Sequence, residues 1–574
     1  MAANFTAEPH TITWAASEVD HLRSALTGAG SAAAATITTI APPGADSISR
    51  AAAQVFNDFG SRYHGLIREL GNAHEAFAAT LNTAGRAFGN AESAIAETLG
   101  LGTSGDSVRM LASAARQAAT QSVDSILIMG GVGWPIPSPA YMNDVLRLYL
   151  SNFTGPHLGI TTPAGSYPTT GVKDLTLGIS IARGLTIADN AINQVLGGAP
   201  STSVVSVFGY SQSAVIATME IPKLLAQGYN SANAFFCMVG NPCNPNGGLF
   251  ARFPELSLPS LGLTFGTATP SNDFPTRIWS IEYDGWADFP QYPINPLSDL
   301  NSLIGMQLYH ATYSIVPPAN LNAAVTLTQS GAPSMSQYYM IPTHDLPLVA
   351  PLRALPVIGK PLADLLEPDL RYLVNWGYGN INYGWSTTPA DIATPFGFLP
   401  PWETTGALLG PALIHGTQQG ISAFTADMAA MVPTAPPTLP DLAHLSTGLT
   451  HTGAGLGVMQ PAPTVDGLIS TLKNANNDFS SGLVTRLSGT YSALLPTADI
   501  VSALGLSLPA YNVDLFLDGI QQAINGDPLG GLMNAFGRPL AANVGISLLA
   551  AGFELTVVVN ALLTLVTGVP VPSV

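Results

Sequence analysis

The sequence is short of charge, of basic residues and of cysteine, and each shortage removes a class of function. Only 10% of its 574 residues are charged, against 47% hydrophobic. A chain that apolar can bury a core, so intrinsic disorder is excluded as its overall state. Lysine and arginine total 19 against 36 acidic residues, a net charge of −17. Binding a polyanion needs clustered cations, so nucleic acid is not expected as a partner. Two cysteines, Cys237 and Cys243, cannot build a disulfide framework. Their spacing across Gly240-Asn241-Pro242 allows one local bridge, and equally two unpaired thiols in and after a strand. The ten histidines are scattered without Cys-x-x-Cys or His-Glu-x-x-His spacing, so neither a metal nor another cofactor is expected. Met1 to Trp14 shows no basic leader and no apolar core segment, so no conventional signal peptide is expected. Val544 to Val574 is strongly apolar but holds Glu554, Asn560 and two prolines. An uninterrupted span needs about 20 apolar residues, and we read this stretch as buried or interfacial, with a membrane span as the lesser alternative.

What is present divides the chain. At roughly 150 residues per domain, a chain of this length holds two to four. Over residues 1–98, Ile48, Ala52, Val55, Phe59, Tyr63 and Leu66 recur at steps of three and four and lay one stripe along a helix that extends to Leu81. Pro9 to Ala35 reads as an earlier alanine-rich helix, with Ile40 to Gly44 as the turn. Two helices alone bury little, so this hairpin is either a cap on the next domain or a docking module for a helical partner. Residues 99–119 form a linker, Leu99 to Ser107, and a lead-in helix expected over Val108 to Ser122. From 120 to 400, short apolar strands at Ser125–Met129, Val204–Gly209, Ala234–Val239 and Arg277–Tyr283 alternate with helical stretches at Leu175–Leu196 and Ala214–Gln227. That alternation predicts an α/β fold, a mostly parallel sheet with helices on both faces. Residues 401–574 turn to glycine, alanine, threonine and proline, with helical fragments, no repeat and no legible chemistry.

The chemistry centres on Val204 to Ser213, VVSVFGYSQS. A buried strand breaking at Gly209-Tyr210-Ser211-Gln212-Ser213 into a helix is the nucleophile elbow of α/β-hydrolases, which needs small residues such as Gly209 and Ser213 two positions either side of the serine. A chain this rich in Gly and Ser contains about one such match by chance, so its context must carry the reading. Gly130-Gly131-Val132-Gly133-Trp134-Pro135 follows a strand directly. It is either a phosphate cradle, for which the P-loop lysine and Ser/Thr are missing, or a contributor of backbone N–H groups at Gly131 and Val132 to an oxyanion hole, shared with the amide of Gln212. The architecture orders its triad Ser, acid, His. Asp284, just past the strand RIWSIEY, is the first choice of acid, and Asp288 in the same loop is its rival. Either could instead be a solvated turn aspartate beside Gly285. His310 is the first choice of base, with His344 as the alternative.

The N-terminal region resembles the PE domain of mycobacterial PE/PPE proteins. The likeness lies in the start at Pro9, the alanine-rich first helix, Gly44-Ala45-Asp46 opening the second, and the Ala91-Glu92 close. The naming Pro-Glu is Pro9-His10 here, and the Tyr-x-x-x-Asp/Glu export signal is present as Phe88-x-x-x-Glu92. The resemblance implies pairing of residues 1–98 with a PPE-type helical partner and type VII export, placing the protein outside the cell or at its envelope. Gly-Tyr-Ser-Gln-Ser, Gly-Gly-x-Gly-x-Pro, Tyr-Asp-Gly-x-Ala-Asp-Phe-Pro, His-x-Thr-Tyr, Leu346-Pro347-Leu348 and Thr388-Pro-Ala-Asp391 are together similar to the PE-PPE C-terminal domain, a cutinase-like serine-hydrolase family. That likeness implies Ser211 as nucleophile, an aspartate of the YDGWADF loop as acid and His310 as base. It also has Val132 where the family often carries threonine. The resulting expectation is a serine esterase acting on acyl esters with lipid-like substrates and peripherally associated with the envelope. The alternatives are an acyltransferase onto envelope glycolipids, or a non-catalytic surface protein whose function is pairing.

Overall fold

The computed structural model describes residues 121–431 and 465–568, together with scattered positions between 31 and 68. Phe88, Glu92, the expected linker and residues 108–120 lie outside the described residues, and most of the N-terminal hairpin does too. Where that region is described, Asn57 accepts the Ile40 amide at 2.6 Å and donates to the Ile40 carbonyl at 3.1 Å, tying Ile40 to the helical residue seventeen positions on.

Seven strands form the central sheet: β1 (Ser125–Met129), β2 (His157–Ile160), β3 (Val205–Tyr210), β4 (Ala234–Val239), β5 (Thr276–Ile281), β6 (Val325–Thr326) and β7 (Ser336–Ile341). Their order is β6-β7-β5-β4-β3-β1-β2, parallel throughout except for the antiparallel β6–β7 pair. The mostly parallel α/β sheet expected from the alternation is therefore present. Alternate residues of each strand face opposite sides. Leu127, Val207, Phe236 and Ile278 enter one core, with Ile181 and Ile192 of α2 (Leu177–Leu196) and Ile216 of α3 (Gln212–Ala226). Ile126, Phe208, Cys237 and Trp279 enter the other, with Val145 and Tyr149 of α1 (Pro139–Tyr149). Burial on both faces is why these strands read as continuous apolar runs.

Two local expectations change. Gln121–Ser122, placed at the end of a lead-in helix, is a two-residue strand paired with Phe153–Thr154. Cys237 and Cys243 are both buried free thiols. Cys237 points from β4 into the second core and Cys243 into the first, so the sheet separates them.

Two more helices, α4 (Pro296–Tyr309) and α5 (Gly359–Trp376), complete the sheet domain. Asn295 caps α4 by accepting the Leu297 and Ser298 amides, which fixes where that helix starts and hence where it delivers His310. Beyond residue 400 the fragments join into long helices: α6 (Trp402–Met431), α7 (Val465–Ser502), α8 (Leu508–Ile524) and α9 (Pro528–Thr567), with a π-turn at Ala503–Ser507 between α7 and α8. Glycine lets them approach closely: a Cβ at Gly420 of α6 would lie 2.1 Å from the Leu365 carbonyl oxygen of α5, and one at Gly519 of α8 would lie 2.2 Å from the Ala535 nitrogen of α9. Leu508, Leu515, Ala541, Ile546 and Leu549 belong to the same core as the sheet. The reading of Val544–Val574 as buried or interfacial divides at Glu554. Ile546 and Leu549 are buried, whereas Leu555, Leu562 and Val566 are 65%, 57% and 73% exposed.

Candidate active site

β3 stops at Tyr210 and α3 begins at Gln212, leaving Ser211 alone at the apex. Its backbone sits at φ 57°, ψ −118°, a region a non-glycine residue holds only when its surroundings over-determine it. Those surroundings are visible. A Cβ on Gly209 would lie 2.5 Å from the Ser213 carbonyl oxygen, so two residues before the apex only glycine fits. The Ser213 hydroxyl accepts the Tyr210 amide at 2.8 Å and donates to the Tyr210 carbonyl at 3.0 Å, closing the turn from its other side. The Ser211 amide donates to the Val239 carbonyl at the end of β4, at 3.1 Å.

The glycine loop after β1 presses on this turn. A Cβ on Gly131 would fall 2.5 Å from the Tyr210 ring and 3.2 Å from the Ser211 Cβ. Val132 packs its side chain against the sheet core, so what the loop can offer the serine is backbone. Gln212 opens α3, and the first amides of a helix have no partner within it. Its side chain is engaged elsewhere, donating to the Gly165 carbonyl at 2.7 Å and accepting the Ser180 hydroxyl at 3.0 Å.

His310 stands at the C-terminal end of α4. Its Nε2 lies 2.7 Å from Ser211 Oγ, and its Nδ1 lies 2.8 and 3.0 Å from Oδ2 and Oδ1 of Asp284. With Nδ1 protonated toward the carboxylate, Nε2 is left to accept the serine proton. Asp284, three residues past β5, is fully buried. Its Oδ1 accepts the Trp286 amide at 3.2 Å and its Oδ2 accepts the Tyr313 hydroxyl at 2.8 Å. That hydroxyl accepts the Ile281 amide at 2.9 Å, which anchors the acid to the end of its own strand. Burial first, and the Asp284 carboxylate second, push the Tyr210 and Tyr313 phenols above their ordinary range, so both remain donors. Tyr210 donates to the His310 carbonyl at 2.7 Å. The imidazole is flanked by the rings of Tyr210 and Trp286 at 5.4 and 5.9 Å. Gly240 at φ 56° makes room for it, since a Cβ there would reach 3.1 Å from His310 Cε1.

Two models of known families match the sequence, the PE family over residues 5–95 and the PE-PPE domain over residues 156–379. Esterase PE16 of Mycobacterium tuberculosis is 36% identical over 404 residues, 69% of this chain and 72% of its own length. The chain belongs to the PE family and carries a PE-PPE domain. PPE28, an uncharacterized PPE family protein of the same organism, is 43% identical over 452 residues, 78% of this chain and 67% of that one. Diacyltrehalose acyltransferase Chp2, also of Mycobacterium tuberculosis, is 27% identical over 307 residues, 50% and 82% of the two chains.

Ser211, Asp284 and His310 fall inside the matched PE-PPE segment, while Gly131 and β1 lie upstream of it. The two alternative residues stand apart from this cluster. Asp288 is buried, and one of its oxygens accepts the Tyr283 amide at 3.0 Å, bracing a residue held at φ 66°. Burial pushes the Asp288 carboxyl well above the usual carboxylate range, against the lowering effect of that amide. His344 has a side chain 98% exposed, and it pairs with its neighbour Asp345 at 2.9 Å. Sequence reasoning assigned no role to Tyr313, Trp286 or Gly240. Tyr313 stood in the quoted His-x-Thr-Tyr motif, but only the fold brings its hydroxyl back to the acid.

Proposed function

We propose that this PE-PPE domain is a serine-dependent carboxylic ester hydrolase acting on lipid-like acyl esters. The observation that carries the reading is the unbroken line from Ser211 Oγ through His310 to the buried Asp284, with contacts of 2.7 and 2.8 Å. Ser211 Oγ attacks the acyl carbonyl carbon while its proton passes to His310 Nε2, and Asp284 holds the resulting imidazolium. The negative oxygen that forms is met by the amide of Gln212 and by backbone N–H of the Gly131–Val132 loop; such a donor is typically worth about 2.7–4 kcal/mol in the transition state. His310 then returns the proton to the departing alkoxide, leaving an acyl-serine and a free alcohol. Water, deprotonated by the same imidazole, releases the acid and restores the serine.

A second reading shares every step up to the acyl-serine. Ser211 is only 6% exposed, and the imidazole beside it is flanked by the Tyr210 and Trp286 rings. If a sugar hydroxyl takes the place of water, the same site transfers the acyl group. The likeness to the acyltransferase Chp2 supports this outcome, and that to esterase PE16 the first. We extend the proposal to residues 1–98, which would pair with a PPE-type partner and direct export. Retention in the cytosol with a type VII system intact would count against that extension.

The test is covalent labelling of the full chain with a fluorophosphonate. The wild type should label and Ser211→Ala should not. An unlabelled wild type overturns the enzyme reading, and a labelled mutant overturns the choice of serine. Adding a sugar acceptor to a long-chain ester and looking for an acylated sugar separates transfer from hydrolysis.

A further inference from the structure

From about Phe479 to Ala498 on α7, and from Leu555 to Thr567 on α9, the two helices run side by side. Thr497 bonds Glu554 at 2.8 Å, the Thr490 hydroxyl reaches the Ala561 carbonyl at 3.5 Å, and a Cβ at Gly489 would touch Thr564 at 2.9 Å. The residues facing inward, Val557, Ala561 and Thr564, are buried between the pair. The outward side is apolar: Phe479 is 72% exposed, Val484 61%, Tyr491 69%, Leu555 65% and Val566 73%. Thirteen helical residues after Glu554 extend about 20 Å.

Three features decide what covers this surface. No charged residue occurs from Leu555 to Thr567, and Arg486 alone occurs from Phe479 to Ala498. Arg486 is already engaged, donating to the Leu565 and Val566 carbonyls at the end of α9. The surface therefore has no free cation for phosphate headgroups or an acidic protein, and the anions Asp478 and Glu554 stand at its ends; the charge complement of the face between them is a neutral apolar phase. Second, the exposed apolar positions of α9 do not make the narrow stripe that a partner helix reads. Leu555, Val558, Val559, Leu562, Leu563, Leu565 and Val566 spread over roughly half the helix, and the rest of the turn holds only uncharged Thr556, Asn560 and Thr567. Third, only 22% of the most apolar window of α9 is buried in the protein. A helix apolar around its circumference is at home in a core or in lipid, and past Glu554 α9 leaves the sheet's core and is covered only along its seam with α7.

We infer that the paired ends of α7 and α9 form a lipid-docking surface, which inserts into the apolar layer of a neutral lipid assembly. Helical backbone is hydrogen-bonded within itself, and of the carbonyls left over at the end of α9, that of Thr564 accepts the Gly568 amide and those of Leu565 and Val566 accept Arg486, so insertion strips few main-chain groups of a partner. The same α9 sets Phe553 against Trp286 at 6.2 Å between ring centres, and Trp286 flanks His310. Docking therefore places the lipid on the side of the fold that carries Trp286 and His310, a consequence that rests on the function proposed above. The surface itself does not.

Flotation of the full chain with neutral phosphatidylcholine vesicles is the test, comparing wild type, Ser211→Ala, the triple variant Leu555→Gln/Leu562→Gln/Val566→Asn and a second variant, Phe479→Gln/Leu487→Gln. Wild type and Ser211→Ala should float equally, and high salt should not release them, because apolar insertion is not screened. The triple variant should partition at least about a hundredfold more weakly. Its thermal melt and its rate on a soluble short-chain ester should be unchanged, while its rate on an emulsified long-chain ester falls. A wild type that stays at the bottom of the gradient, or variants that all float with it, would overturn the inference. So would light scattering that finds a wild-type dimer and a monomeric triple variant, since a second copy would then cover the face, or flotation that requires a protein partner. Loss of fluorophosphonate labelling with flotation intact would remove the hydrolase reading and leave this one standing.

Discussion

Tyr313→Phe isolates one oxygen atom. The ring fills the same space, so no cavity forms, but two hydrogen bonds vanish. The one to the Asp284 carboxylate, at 2.8 Å, has a charged acceptor and is worth about 1.5–3 kcal/mol; losing the other, at 2.9 Å, leaves the buried Ile281 amide unsatisfied at about 1–3 kcal/mol. Allowing for partial relaxation, we expect about 2–5 kcal/mol less stability, read as a lower urea midpoint at unchanged slope. The rate should fall less steeply than the two bonds suggest, because Asp284 keeps its charge and the Trp286 amide. We expect kcat/KM on a soluble ester to drop about ten- to a hundredfold, or roughly 1.4–2.7 kcal/mol of transition-state stabilisation. Fluorophosphonate labelling should slow in parallel, since it uses the same serine and base. If kcat/KM stays within about twofold of wild type while stability falls, the hydroxyl braces the fold alone and its placement against the acid has no catalytic consequence.

Other perturbations separate the remaining roles. Asp284→Asn should cost about 10⁴ in kcat with little loss of fold, as expected when the group orienting the imidazole loses its charge. Asp288→Asn should instead leave the rate within about tenfold and shift the urea midpoint, because that side chain braces Tyr283. Gly209→Ala forces a Cβ to 2.5 Å from the Ser213 carbonyl, and overpacking of this kind costs about 1–3 kcal/mol or more; its soluble yield and urea midpoint should both fall. Burial, reinforced by the Asp189 carboxylate, pushes the Glu220 carboxyl up to about 8. Between its ordinary range and about 8 the folded chain then holds a proton that the unfolded chain has released, so stability should decline as pH rises through that window. Urea titrations of wild type and Glu220→Gln should show the slope in the first and a flatter profile in the second.

The legible parts of this molecule were those written locally. Strands buried on both faces announce themselves as apolar runs, and the β3–α3 turn needs small residues at fixed offsets from Ser211, so both could be read without coordinates. Asp284 could be preferred to Asp288 on paper but not separated from it, because both follow the same strand in one loop. Only the fold shows that one faces His310 and the other turns back to the Tyr283 amide. Long-range partners were equally invisible. Tyr313 reaches an acid 29 residues earlier, and Phe553 approaches Trp286 from the opposite end of the chain. The C-terminal helices were legible only in part, for a different reason. Composition reports that Leu555 to Val566 avoids water, but not whether protein is what it prefers instead.

The sheet's borders carry a consequence of their own. One border is the two-residue β6, running against its neighbour, and the other is the four-residue β2, whose first two residues are exposed. Borders that short offer little main chain for an incoming strand to zip onto. The sheet is thus a finished unit, poorly placed to grow by strand addition, and among the described residues it is the long helices that leave the broader apolar faces uncovered.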